Sequence, residues 1–173
     1  MNRRPGIETK LFSGSRIVVQ THHAFDSVLN SLRLLMGKTT VGDINALAKE
    51  PISEGEFARL VGERYVGKSG FMFFAEIDHS AWLPKYGITQ RAVRWILGNP
   101  LYAITMIRHD ITAGLLGPVE LLITEDVDGG GTTVTYMLPS SLMVIDDNPP
   151  LLKASEALDA KLAALVAEGT GLH

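Results

Sequence analysis

The order in which two kinds of apolar pattern follow one another constrains this chain most. Short β-branched or aromatic runs with strand character occupy Arg16–Thr21, Phe71–Asp78, Ala92–Leu97, Val119–Glu125 and Thr132–Leu138. Between them lie stretches whose apolar residues recur every three or four positions, as a helix lying on a core requires. Phe25, Val28, Leu29, Leu32, Leu35 and Met36 form one such stripe, with Gly37 placed to end the helix as a C′ residue. Leu151, Ala154, Leu158, Leu162 and Leu165 form another over residues 151–168, with Gly169 after it. Leu101–Arg108 reads as a shorter helix with Leu101, Ile104, Met106 and Ile107 inward. The chain therefore runs β-α-(insert)-β-α-β-α-β-β-α, with one evident hairpin, turned by Asp126–Gly131. That order predicts an α+β fold: a single twisted, mainly antiparallel sheet with helices packed on one face, plus a helical insertion.

The insertion is residues 38–69. Asp43–Lys49 supplies a helical turn or two, and a second helix starts at Ser53 as N-cap with Glu56 three residues on, a capping-box pattern. Phe57, Leu60, Val61 and Tyr65 give that helix one apolar face, so the segment can act as a lid. Residues 1–15 read as an N-terminal arm, 16–168 as one domain and 169–173 as a C-terminal tail. At 173 residues the chain has the size of a single domain that needs no disulfide or metal to hold a core.

Charge and composition narrow the function classes. With 16 basic and 19 acidic residues the formal net charge is −3, and the basic residues form no run, so no nucleic-acid partner is expected. There are no cysteines, which excludes thiol catalysis, disulfides and thiolate metal sites. No secretory h-region follows the basic N-terminus, and the apolar runs fall far short of the ~20 residues that a membrane span needs. No membrane partner and a cytoplasmic location are the expectations.

Gly70-Phe71 through Ile77-Asp78-His79, then Gly87, then Leu97-Gly98-Asn99-Pro100, resemble the Domain of Unknown Function 302 family. Gly117-Pro118-Val119-Glu120-Leu121, the Asp126–Gly129 turn and Val134-Thr135-Tyr136 continue the likeness, which spans roughly residues 16–168. Two departures stand out: residues 38–69 look inserted, and Leu116-Gly117 precedes Pro118 where the family more often shows an acidic–leucine pair. The resemblance implies a TATA-box-binding-protein-like α+β topology and homodimerisation. It implies no catalytic mechanism.

The candidate site residues are few. Asp78-His79 at a strand end can act as base and orienter or as two metal ligands; equally, Asp78 can cap the short helix or turn that Pro84 and Gly87 close. His109-Asp110 offers a second acid/base or metal-ligand pair, and one of His22 or His23 a third imidazole, although neighbours on a strand point to opposite faces. Asn99, in Gly98-Asn99-Pro100, either shapes a helix start or presents polar groups to a ligand. The Gly129–Gly131 run is no phosphate loop, and no nucleophile elbow surrounds Ser140 or Ser141. Aromatic residues including Phe71, Phe73, Phe74, Trp82, Trp95, Tyr102 and Tyr136 can line an apolar pocket or serve as plain core. Two expectations follow. One is an intracellular homodimeric module, without a cofactor, that binds a small apolar or amphipathic ligand through Asp78, His79, Asn99 and Tyr136, or a protein partner. The other is an enzyme that uses Asp78/His79 and His109/Asp110. Both place the strand ends at Asp78 and Gly98 on a shared rim.

Overall fold

The computed structural model describes residues 6–172. Strand β1 (Arg16–Thr21) leads into helix α1 (Phe25–Leu35), then a two-residue strand β2 (Gly37–Lys38). Helices α2 (Val41–Ala48) and α3 (Glu54–Arg64) follow, then β3 (Met72–Asp78), β4 (Ala92–Gly98) and α4 (Pro100–Ile107). The chain closes with β5 (Val119–Glu125), β6 (Thr132–Met137), a short α5 (Pro139–Met143) and the long α6 (Pro149–Thr170). The described strands form one sheet in the order β1-β6-β5-β4-β3-β2, antiparallel except for the parallel β2–β3 pair. This is the α+β architecture that the sequence predicts.

Strand alternation decides which side of the sheet is covered. Val93, Trp95 and Leu97 of β4, Leu121 and Ile123 of β5, and Val134 and Tyr136 of β6 face one way, and all are buried. Against them pack Val28, Leu29 and Leu32 of α1, Met106 of α4 and Leu158, Leu162 and Leu165 of α6, in one continuous core. The insertion and β3 build a second, smaller cluster from Leu47, Leu60, Val61 and Met72, with Ile44, Phe74 and Leu101 against it. Met72 alternates with the core-facing Phe73, so α2 and α3 sit over the reverse face at the sheet's β3 end. Elsewhere that reverse face is open: Val18 is 54% exposed, and Leu122, Met137 and Ile77 are also exposed.

Several boundaries differ from the sequence reading, each for a physical reason. Gly37 does not end α1 in a left-handed turn. Met36 is already extended, and Gly37 starts β2. A Cβ on Gly37 would lie 1.7 Å from the carbonyl oxygen of Tyr65, so the constraint there is close backbone approach. Helix α6 continues through Gly169, where a Cβ would meet the Leu32 side chain at 2.2 Å, and stops at the left-handed Gly171. In the insertion, the reciprocal capping box belongs to Thr40 and Asp43 of α2. Ser53 does accept from the Glu56 N–H at 3.2 Å, but the Glu56 carboxylate turns to Arg59. Ile104, expected inward, is 44% exposed beside α3.

Candidate functional site

Strand β4 ends at Gly98 and the chain turns directly into α4 through Asn99 and Pro100. The Asn99 side chain, 7% exposed, fixes that turn from both ends. Its Oδ1 accepts the Leu101 N–H at 2.8 Å, capping α4, and its Nδ2 donates to the Gly70 carbonyl at 2.8 Å, tying α4 to the segment entering β3. Pro100 in the first helical turn lacks an N–H that would in any case be unpaired. Opposite, Gly117 and Pro118 are joined by a cis peptide bond. A Cβ on Gly98 would lie 3.2 Å from the Phe74 ring and 3.3 Å from Pro118.

Around this junction lies a cavity of about 200 Å³. Phe71, Phe74 and Gly98 wall it on the sheet side, Tyr102, Ala103 and Met106 on the α4 side, and Pro118 and Val119 across from them. Val41 and Ile44 of α2 close another side, and Leu158 of α6 lies at the wall. Asn99 is the polar exception in an otherwise apolar or aromatic lining, and one N–H of its amide has no partner among the described residues. The insertion thus contributes to the site.

The structure separates the residues that the sequence reading placed together. In the β3–β4 register Met72 faces Gly98 while Asp78 faces Val93, six residues further along the pair. At ~3.3 Å per residue that is about 20 Å, so Asp78 and Asn99 stand at opposite ends of the sheet and share no rim. Nor does Asp78 cap the 3-10 turn His79–Ala81; its side chain makes no cap bond. Ser80 holds the turn instead, with its Oγ accepting from the Ala92 N–H at 2.9 Å and donating to the Ala92 carbonyl at 3.1 Å. His79 lies edge-on to Trp82, and its Nδ1 is buried without a hydrogen-bond partner among the described residues.

His109 and Asp110 follow α4. Asp110 Oδ1 accepts from the N–H and Oγ1 of Thr112 at 2.8 and 2.7 Å, starting the 3-10 helix Ile111–Leu116. Those bonds hold its carboxyl below the usual carboxylate range. The His109 carbonyl accepts from Asn148 Nδ2 at 3.4 Å, which places it at the start of α6. His23 lies at the other end of that helix, against Gly171, about 33 Å away by helix length. The acid–base or metal-ligand convergence of Asp78, His79, His109 and Asp110 with a histidine of the first turn is therefore not assembled. Among the described residues no group of three or more histidines and carboxylates is placed to hold a metal ion.

Tyr136 is core. It sits on β6 opposite Ile17, 5% exposed, and does not line the cavity; burial pushes its pKa up. Of the aromatic candidates Phe71, Phe74 and Tyr102 reach the cavity, Phe73 and Trp95 pack in the main core, and Trp82 is exposed. The sequence reading gives the insertion a lid role without naming Val41 and Ile44, and does not place Pro118 at a pocket.

No helix among the described residues is long and apolar enough to cross a membrane. No curated protein matches the chain. A crystal structure of an uncharacterised conserved DUF302 protein from Bacillus stearothermophilus matches with a TM-score of 0.61 at 15% identity, covering 88% of this chain and 96% of that one. The family described as "Domain of unknown function DUF302" matches residues 58–169, from α3 to the last turn of α6. The chain belongs to the DUF302 family.

Proposed function

We propose that this domain binds a small apolar or amphipathic molecule in the cavity at the β4–α4 junction, and does so as a homodimer. The lining carries the reading: a concave pocket with apolar walls around one oriented amide is the usual make-up of a small-molecule site. Volume bounds the occupant. A cavity of roughly 150 Å³ takes benzene, so about 200 Å³ suits one aromatic ring system or a short branched chain. The acid–base alternative draws less support, because its two histidine–aspartate pairs stand at opposite ends of the sheet. The open sheet face, with Val18, Leu122, Met137 and Ile77 exposed, supports self-association or a protein partner.

Melting of the wild type and of Ala103→Phe with increasing indole tests the cavity. Ala103 lies on its α4 wall, so the added ring fills the space. Indole is expected to stabilise the wild type by about 1.4 kcal/mol at ten times its Kd and to leave Ala103→Phe unmoved. No stabilisation of the wild type by indole or other single-ring probes, or equal stabilisation of the variant, contradicts the reading.

A further inference from the structure

A second concave surface lies on the other side of α4, where that helix runs beside α6. Thr105, Arg108 and His109 face Pro150, Lys153, Ala154 and Ala157 across it. Two turns along α6 from Lys153, the Lys161 Nζ stands 4.8 Å from the centre of the Tyr102 ring. Arg108 and Lys153 thus line the groove together with His109, and Lys161 stands further along α6, in a chain whose net charge is −3. Among the described residues none of the three cations has an ion-pair partner, whereas Arg33, Arg59, Lys68, Arg91 and Arg94 all do.

The nearby carboxylates make no ion pair with Arg108 or Lys153 among the described residues. Asp110 is engaged with Thr112, and Glu54 sits across a different groove, between α3 and α4, without pairing to Arg108. Cations gathered on a concave surface raise the local concentration of anions. The start of α6 adds its dipole, but its backbone donors are spent. Positions 149 and 150 are prolines, and the Leu151 and Leu152 N–H groups both go to Asn148. Any anion here is held by side chains.

We infer that the α4–α6 groove is a binding site for the phosphate or carboxylate group of a small molecule, held by Arg108 and Lys153 with His109 beside them. The Arg108 Nε donates to the Ile104 carbonyl at 3.2 Å, which leaves the two terminal amino groups of the guanidinium for an oxyanion, and lysine adds a point charge. The site stands on charge and groove geometry and does not depend on the apolar cavity being occupied.

Amide-resolved NMR titration of the full chain with inorganic phosphate, and separately with acetate, tests it. At low salt the Thr105, His109, Ala154 and Ala157 signals are expected to move and saturate, with a Kd of about a millimolar that weakens as salt is added. The exposed-surface variant Arg108→Gln/Lys153→Gln is expected to raise that Kd at least about tenfold. The control Lys49→Gln/Lys85→Gln, which removes two cations elsewhere, leaves it unchanged. Saturation by phosphate alone assigns a phosphoester, and saturation by both ions a site that also takes carboxylates. Linear shifts spread over all exposed lysines, or an unchanged Kd in Arg108→Gln/Lys153→Gln, overturns the inference.

Discussion

Tyr136 shows how much a single residue reveals before any coordinates exist. Its place in the alternation Val134, Thr135, Tyr136 already assigns it to the same face as a buried valine. That it is core and lies off the cavity depends on β6 lying between β1 and β5, a pairing the local pattern does not contain. Burial holds its folded-state pKa above the usual tyrosine value. The sign follows from the raised pKa: its contribution is fully present below about pH 10, the unfolded value, and is lost as pH rises through the folded one. Tyr136→Phe keeps the ring and removes the proton. Melting curves at about pH 9 to 11 are expected to show a smaller alkaline loss of stability in the variant; parallel losses in both proteins would refute the assignment. Asp78 and His79 teach the complementary lesson. Their adjacency is visible in sequence, but what they meet is fixed by strand register, and the register sends them away from Asn99.

At the scale of elements, strands were the most legible part, because β-branched alternation and bounding glycines act locally. Val119–Glu125 and Arg16–Thr21 stand where the pattern puts them. Elements set by distant partners were not legible. The two-residue strand β2 exists because the Gly37 N–H donates to the Phe71 carbonyl at 3.0 Å, more than thirty residues on. The short α5 has no amphipathic stripe to announce it. Asn99 binds three elements in one side chain: it ends β4, caps α4 and ties both to Gly70 ahead of β3. Asn99→Ala removes the cap and leaves the Gly70 carbonyl and Leu101 N–H without those partners. The expected cost is about 1–3 kcal/mol, read as a lowered denaturation midpoint with an unchanged slope. A midpoint equal to that of the wild type would show that water replaces both bonds.

For the whole molecule, the covered face of the sheet was foreseeable and the second cluster was not. Amphipathic α1 and α6 require a shared core, whereas the apolar face of α3 gives no sign of which side of the sheet it will join. By packing over the β3 end, the insertion leaves the rest of the reverse face open and brings Val41 and Ile44 to the cavity. If the open face serves self-association, sedimentation at micromolar concentration gives twice the monomer mass of 18.8 kDa, and Val18→Glu/Leu122→Glu shifts it to the monomer. A wild type that sediments as a monomer contradicts the dimer.

The proposed ligand site lies at the β4–α4 junction and not at the end of the sheet that carries Asp78 and His79. Methyl-resolved NMR of the protein with indole addresses it directly, because cross-relaxation falls away within a few ångströms of the probe. Indole protons are expected to show contacts to the methyl groups of Val41, Ile44, Met106 and Val119, and none to Ile77 or Ile88. Contacts confined to Ile77 and Ile88, beside His79 and Trp82, would contradict it.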